Sequence, residues 1–141
     1  MLSASVFVDE GVIVSTRGRA RAPRDFDASG DAIEPRPTVV LVNRDTASAS
    51  EILTAALEES GLATVVGGRT FGKGVFQEVI GLDAGGALDL TVGEYVTGEG
   101  ESLAGDGISP DVRVRPDTDT EADEVLDRGL EVLAGEFDST S

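Results

Sequence analysis

The amino-acid sequence predicts a mixed α/β fold, and two local patterns carry this prediction. A continuous apolar run at 38–43, a segment with helical periodicity and a second apolar run at 63–67 follow one another, which is the order of a parallel β-α-β unit. Later in the chain, two segments of alternating polar and apolar residues flank a Gly-rich turn and predict a β-hairpin. The length of 141 residues suits one domain with its own hydrophobic core.

The first third of the chain is predicted to contain one clear strand. Residues 2–8 are short and apolar, as the end of a helix would be. Residues 11–17 are rich in β-branched side chains and predict a strand. The stretch at 17–37 is polar, with Arg, Asp, Gly and Pro, and we expect an exposed loop or hairpin there.

The β-α-β unit occupies the middle of the chain. The run at 38–43 shows no alternation, a pattern typical of a central strand buried on both faces. The helix is predicted over 52–61 with Gly61 as its C-cap, and the next strand over 63–67. One face of this helix carries the apolar residues Ile52, Leu53, Ala56 and Leu57.

The last third of the chain is predicted to begin with the hairpin. Its two strands cover 76–82 and 87–96, and residues 83–86 link them. The remaining predicted elements are a loop at 98–107, a short strand at 111–114 and an acidic, amphipathic helix at 121–133.

Composition restricts the chemistry and the partners of this chain. It has no histidine and no cysteine, which excludes a Ser-His-Asp triad, a cysteine nucleophile, disulfides and most zinc sites. A net charge of −16 argues against nucleic acids and anionic membrane surfaces as partners. No apolar run approaches the roughly 20 residues of a membrane span, and we expect no membrane insertion. The N-terminus also lacks the basic start and long apolar run of a signal peptide.

Lys73 is the only lysine of the chain, and the other ten basic residues are arginine. It lies in a Gly-rich loop at 67–74. Arginine stays protonated in proteins, whereas a buried lysine can lose its proton. A need for a neutral amine is one interpretation of this pattern, and codon usage that disfavours lysine is the other. The count alone does not separate them.

Two serines stand at the junction between the predicted strand and the helix. A serine nucleophile needs an exposed turn and nearby amide donors, and Ser48 or Ser50 has this position at a helix N-terminus. The alternative is an ordinary N-cap with Glu51 as its capping-box partner. Taken by itself, the position favours the N-cap.

Lys73 is the candidate general base, because histidine is absent and because it also follows a strand of the β-α-β unit. To act near pH 7 its pKa must fall about 3 units from about 10.4, which is roughly 4 kcal/mol. Desolvation must therefore outweigh the negative net charge of the chain. Gln77, four residues later, can hold the amine without fixing its charge. Gly72 and Gly74 are expected to let the backbone approach a substrate closely.

The sequence resembles the C-terminal processing (tail-specific) serine peptidases over most of residues 10–115. The matching motifs, in the order of the family, are residues 46–51 (Thr-Ala-Ser-Ala-Ser-Glu), 68–77 (Gly-Arg-Thr-Phe-Gly-Lys-Gly-Val-Phe-Gln), 94–100 and 107–112. The separation of 25 residues between Ser48 and Lys73 also agrees with the family.

This resemblance implies a role for each candidate residue. It assigns the nucleophile to Ser48 and not to Ser50, the general base to Lys73 and the orientation of that base to Gln77. The amide of Ala49 would donate to the oxyanion. The resemblance further implies a crotonase/ClpP-like fold, no cofactor, an extracytoplasmic location and protein substrates cleaved near apolar C-terminal tails.

The chain also departs from the family. No PDZ domain fits beside the core in 141 residues. In the family, a Gly-Gly turn upstream of the first helix supplies a second oxyanion amide, and we expect this chain to begin just after that turn. Losing one such donor costs roughly 10²–10³ in rate. We therefore expect an N-terminally truncated, partial protease core at 1–141 with little or no activity alone. It would consist of a remnant helix at 1–10, a core at 11–115 and a C-terminal helix and tail at 116–141. Missing strands would expose a sheet edge and favour self-association.

Other functions are weighed against the protease. The main alternative is a non-catalytic, crotonase-like scaffold or interaction module. A crotonase-like acyl-CoA enzyme is a third possibility, but it gives no reason for the Ser-Lys pair. Asp106 and Asp111 do not have the spacing of an EF-hand loop, and the Gly-rich stretch at 98–107 lacks the Lys-Ser/Thr of a phosphate loop. We expect no metal and no nucleotide.

Overall fold

The computed structural model describes residues 3–19, 21–117 and 121–139. A 3₁₀ turn at Ala4–Val6 precedes the regular elements. These are β1 Val12–Arg17, β2 Arg24–Asp27, β3 Val39–Val42, α1 Ala49–Glu59, β4 Thr64–Gly67, β5 Val75–Gly81, β6 Ala87–Thr97, β7 Val112–Arg113 and α2 Glu124–Ser139. The mixed α/β class is confirmed.

The smaller sheet is parallel and contains the β-α-β unit. Its strand order is β3-β4-β7, and Val42 pairs with Gly67 at the carboxyl ends of β3 and β4. The prediction that 38–43 is the central strand is wrong, because β4 is central and β3 is an edge. Leu41 in β3 is 41% exposed, whereas Val65 and Val66 in β4 are fully buried. An apolar run indicates buried faces, but it does not indicate whether both edges of a strand are paired.

The larger sheet is antiparallel, with the order β2-β1-β6-β5. The predicted hairpin is confirmed as β5 and β6, in which Ile80 pairs with Leu88. Of the two predictions for 17–37, the hairpin is correct in part, because β2 pairs with β1 and Val14 lies opposite Phe26. β6, with 11 residues, pairs with β1 on one side and with β5 on the other, and so links the two pairs into one sheet.

The hydrophobic core lies between α1 and the antiparallel sheet. Ile13 and Val14 of β1 meet the inner face of α1 there, together with Leu103 from the loop after β6. The apolar stripe predicted for α1 forms this inner face, with Ile52, Ala56 and Leu57 buried and Leu53 partly buried. α1 is thereby fixed on one side by apolar burial, which leaves its N-terminus to be positioned by polar contacts.

The two ends of the chain differ from the predicted elements in length. The helix expected near the N-terminus is a single 3₁₀ turn, and residues 1 and 2 lie outside the described residues. The final helix begins at Glu124 and not at 121, because Asp123 caps it by accepting the Leu126 N–H at 3.0 Å. Among the described residues, no helix combines the length and the apolarity needed to cross a bilayer.

Candidate active site

Ser48 has an unusual backbone conformation. Its φ and ψ are 56° and −118°, and it is the single residue other than glycine with a positive φ within residues 3–19, 21–117 and 121–139. Such a conformation costs about 1–3 kcal/mol and persists only where the surroundings enforce it. Ser48 is also the N-cap of α1. The N-cap and nucleophile interpretations of this position are therefore compatible with each other.

Glu51 supplies the contact that holds Ser48. It lies in the first turn of α1, is completely buried, and its Oε2 accepts the Ser48 N–H at 2.9 Å. This bond is the capping-box contact that was expected for a Glu three residues after the N-cap. Burial of the whole carboxylate was not expected, because a buried anion needs several donors.

Those donors come from the loop that carries Lys73. Glu51 Oε2 also accepts the Lys73 N–H at 2.9 Å, and Oε1 accepts the Gly72 N–H at 2.7 Å and the Thr70 hydroxyl at 2.5 Å. Because the Ser48 and Lys73 bonds end on the same oxygen, their two nitrogens lie within about 6 Å of each other. The two sequence motifs therefore meet in space.

The importance of Glu51 was missed by the sequence analysis, which treated it only as a cap. Glu51 lies outside the apolar stripe predicted for α1, so hydrophobic periodicity gives no signal that its side chain is buried. Its burial depends on polar partners that come from another part of the chain.

Backbone hydrogen bonds fix the lysine loop on two further sides. The Phe71 N–H donates to Thr46 O at 2.9 Å, which adds a second link to the nucleophile motif. On the other side, Gly72 O accepts the Gly105 N–H at 3.0 Å, and the Thr70 N–H donates to Ile108 O at 3.1 Å. The loop is thus held between the N-terminus of α1 and the segment that follows β6.

The glycines of this loop are required where it packs against the segment after β6. A Cβ on Gly72 would lie 2.4 Å from Gly105 O, and one on Gly74 would lie 2.1 Å from Ala104 N. Gly72 also has a φ of +84°. Close approach therefore occurs between two segments of this chain, while the approach of this backbone to a substrate stays a prediction.

The side chains expected to form the base are exposed. Lys73 lies on the surface, so the packing of the described residues does not supply the desolvation that a neutral amine requires. Gln77 is also exposed, and its Nε2 donates to Thr91 Oγ1 at 3.3 Å across the hairpin. The orientation of Lys73 by Gln77 stays a prediction.

Ala49 and Ser50 lie in the first turn of α1. Ala49 is its first residue, a position whose N–H has no acceptor within the helix and is available to an anion. Ser50 is exposed, and its carbonyl accepts the Thr54 hydroxyl at 2.8 Å. Ser50 lies inside the helix, whereas Ser48 lies at the turn that leads into it.

The acidic residues considered as metal ligands have other contacts. The carbonyl of Asp106 accepts a bond from Arg69 at 3.0 Å, and Asp111 Oδ2 accepts the Val65 N–H at 2.8 Å. Within the described residues, no group of three or more acidic side chains has an arrangement suited to a metal ion.

At the opposite end of α1, burial is the main cause that raises the pKa of Glu58 above its ordinary value of 4.5. Three neighbouring carboxylates add to this effect, in the order Asp111, Glu59 and Glu99. Glu58 lies near the C-terminal end of α1, whereas Ser48 lies at its N-terminus.

Comparison with known proteins places this arrangement in a family. The model of peptidase family S41 matches residues 1–114. The carboxy-terminal-processing protease of Bartonella bacilliformis is 46% identical over 110 residues, which are 77% of this chain and 25% of that protein. The carboxyl-terminal-processing protease of Synechocystis sp. is 44% identical over 108 residues, with the same shares of 77% and 25%.

A solved structure gives the same result. The photosystem II D1 C-terminal processing protease superposes with a TM-score of 0.76 at 39% identity, covering 89% of this chain and 33% of that one. The chain therefore spans about a quarter of the length of the curated relatives that it matches. From the extent of the family match and the identity to these relatives, we conclude that the chain belongs to peptidase family S41.

Proposed function

We propose that this chain forms the catalytic core of a serine-type C-terminal processing endopeptidase, with Ser48 as nucleophile and Lys73 as general base. The observation that carries the proposal is the shared bond to Glu51, which brings the backbones of these two residues within about 6 Å. A nucleophile and its base must lie within hydrogen-bond reach of each other during the reaction. The strained turn at Ser48 supports the same assignment, because such strain is concentrated at active sites.

The reaction proceeds through an acyl-enzyme. Ser48 Oγ attacks the carbonyl carbon of the scissile peptide while Nζ of neutral Lys73 accepts the hydroxyl proton. The Ala49 N–H donates to the tetrahedral oxyanion. When the C–N bond breaks, the ammonium of Lys73 returns the proton to the leaving amine. A water molecule then attacks the ester and gives a proton to Lys73, which passes it to Ser48 as the acid product leaves.

Lys73 is exposed, so the described residues of this chain do not shield its amine from water. A bound polypeptide that covers the amine would exclude water from it. Gln77 would then leave Thr91 and hold the neutral amine, since a side-chain amide can accept a bond from it and carries no charge.

The fold and the substrate class follow the family. We assign the β3-α1-β4 unit to a crotonase/ClpP-like core in which the nucleophile follows the edge strand β3. The substrates are polypeptides, and cleavage near apolar C-terminal tails outside the cytoplasm is the specific activity that we propose. The names of the relatives, which refer to carboxyl-terminal processing, support this class of substrate.

Labelling by a fluorophosphonate probe tests the assignment of the nucleophile. We expect the chain to be labelled, Ser48→Ala to abolish labelling and Ser50→Ala to retain it. In a full-length protein with a peptide substrate, Ser48→Ala and Lys73→Arg should each abolish cleavage. Labelling that survives in Ser48→Ala would contradict the nucleophile, and cleavage that survives in Lys73→Arg would contradict the base.

A second candidate function is a non-catalytic scaffold of the same fold. The specific observations that favour it are the exposure of Lys73 and the bond of Gln77 to Thr91 instead of to the lysine. Absence of labelling in a folded wild-type chain would favour the scaffold. Labelling that depends on Ser48 would exclude it.

A further inference from the structure

Glu51 is a buried acid that the proposed reaction does not use directly. Its carboxylate accepts four hydrogen bonds, two on each oxygen, from Ser48, Lys73, Gly72 and Thr70. A carboxylate has about four acceptor sites, so its capacity is filled. None of the ion pairs in the described residues includes Glu51. Polar N–H and O–H groups, and not a cation, therefore compensate its charge.

The arrangement of the four donors divides the carboxylate into two functional halves. Oε2 joins the nucleophile to the base, because it accepts both the Ser48 and the Lys73 N–H. Oε1 binds only the lysine loop, through Thr70 and Gly72. Thr70 extends the connection, since its Oγ1 also accepts the Ile108 N–H at 2.7 Å.

The bond at Oε2 also accounts for the backbone of Ser48. Rotation about the N–Cα bond of Ser48 is restricted when its N–H is held by a carboxylate that belongs to the next helical turn. The bond is charge-assisted and therefore stronger than a bond between neutral groups, so it stabilises the positive φ of Ser48. Without this bond, the turn would relax towards a common conformation and Ser48 would change its direction.

We propose that Glu51 is the positioning residue of the Ser-Lys pair, and that it acts through the Ser48 and Lys73 amides without contacting the substrate. This inference rests on the proposed roles of Ser48 and Lys73. It implies that loss of the Oε2 bonds separates the nucleophile from the base even where the rest of the fold is kept. A misplacement of about 1 Å is enough to lower a rate about 100-fold.

Glu51→Gln tests the two halves separately. A glutamine side chain keeps one carbonyl oxygen and replaces the other with an NH₂ group. The orientation with the oxygen at Oε2 keeps the Ser48 and Lys73 bonds and loses only the Gly72 bond, since the Thr70 hydroxyl can turn and accept. The opposite orientation would leave two N–H groups facing an NH₂. We therefore expect Gln to adopt the first orientation.

Amide hydrogen exchange of the ¹⁵N-labelled chain measures the bonds directly. In Glu51→Gln, exchange should accelerate at Gly72 and stay slow at Ser48 and Lys73. In Glu51→Leu, which keeps the burial but has no acceptor, all three amides should exchange faster. Unchanged exchange at all three amides in the Gln variant would overturn the proposal, and this result does not depend on whether the Leu variant folds.

Fluorophosphonate labelling measures the consequence for the nucleophile. Labelling should stay close to the wild-type rate in Glu51→Gln, which keeps both Oε2 bonds, and should be slowed about 100-fold in Glu51→Leu. Glu58→Gln is the matched control on the same helix and should be labelled at the wild-type rate. If the Glu51 side chain only filled space, Glu51→Leu would be labelled at least as fast as Glu51→Gln. That order in folded variants would overturn the proposal. A wild-type chain that is not labelled would contradict the proposed function, while the exchange pattern would still decide the role of Glu51 in holding the two loops.

Discussion

Ser48 and Lys73, which are 25 residues apart in the sequence, donate their backbone N–H groups to the same oxygen of Glu51, each at 2.9 Å. The candidate nucleophile and base are therefore connected through their main chains, independently of the conformation of the lysine side chain. The carboxylate at the centre of this connection is completely buried, so the connection is sensitive to the loss of any one donor or acceptor.

The conformation of Ser48 predicts an unusual order of stability for two substitutions. Ser48→Gly should be more stable than Ser48→Ala by about 1 kcal/mol, because glycine relieves the positive φ while alanine keeps it. Both variants lack the hydroxyl, so the comparison isolates the backbone. Urea denaturation of the two proteins measures the difference, and equal stabilities would show that the turn is not strained.

Thr70 is predicted to matter through its hydroxyl. Its Oγ1 donates to Glu51 and accepts from the Ile108 N–H, and the residue is buried. Thr70→Val keeps the shape but leaves both partners short of a bond, which should cost about 2–3 kcal/mol. Thr70→Ser keeps the hydroxyl and loses one methyl group, for a cost of about 1 kcal/mol. Unfolding free energies in the reverse order would indicate that the methyl group, not the hydroxyl, is important.

Gly74 is predicted to tolerate no side chain. A Cβ there would lie 2.1 Å from two backbone atoms, Ala104 N and Leu103 C, and neither can move as a flexible side chain would. Gly74→Ala should cost about 3 kcal/mol. Gly81 is a matched control in β5, because a Cβ at that position meets nothing within 4 Å. Gly81→Ala should be neutral or should stabilise by about 0.5 kcal/mol. Thermal denaturation compares the two, and a neutral Gly74→Ala would contradict the close packing of the two loops.

The raised pKa of Glu58 predicts that the free energy of unfolding depends on pH. Its pKa is raised in the folded protein, so the folded state holds this proton at pH values where the unfolded state has released it. The stability that this group contributes is fully present below its unfolded pKa of about 4.5 and is lost as the pH rises through the folded value. At neutral pH, Glu58→Gln should therefore be slightly more stable than wild type. The gain should be at most about 0.5 kcal/mol, because solvent screens this partly exposed site.

Urea denaturation at several pH values tests this prediction. The advantage of Glu58→Gln should shrink as the pH falls and vanish below about 4.5. Glu131→Gln serves as the control on the exposed face of α2, where the carboxylate pairs with Arg128, and it should show no such gain at neutral pH. If Glu58→Gln is less stable than wild type at neutral pH, the predicted effect has the wrong sign.

Local patterns predicted most of the elements. The β-α-β unit, the hairpin and the final helix follow from hydrophobic periodicity and turn residues, because each pattern reports on the faces that one segment buries. The position of β3 at a sheet edge does not follow from its apolar run. Edge or centre depends on which other strands pair with it, and this is a relationship between distant segments.

The candidate site was predicted in part for a similar reason. Ser48, Lys73, Gln77 and Ala49 were named from motifs, and the structure brings the first two together at their backbones. Glu51 appeared to be an ordinary cap, because its three other donors lie 19 to 22 residues away. Likewise, the steric requirement at Gly72 and Gly74 comes from the segment at 103–105 and not from their own loop.

By itself, the sequence determined the mixed α/β class, the order of the elements and the absence of histidine and cysteine, which excludes a Ser-His-Asp triad and a cysteine nucleophile. Tertiary structure decided that one buried carboxylate joins the serine turn to the lysine loop, that Lys73 is exposed and that its flanking glycines pack against another loop. The physical reason is the range of each effect. Periodicity and turn preferences act over a few residues, whereas satisfying a buried charge requires donors that only folding brings within about 3 Å.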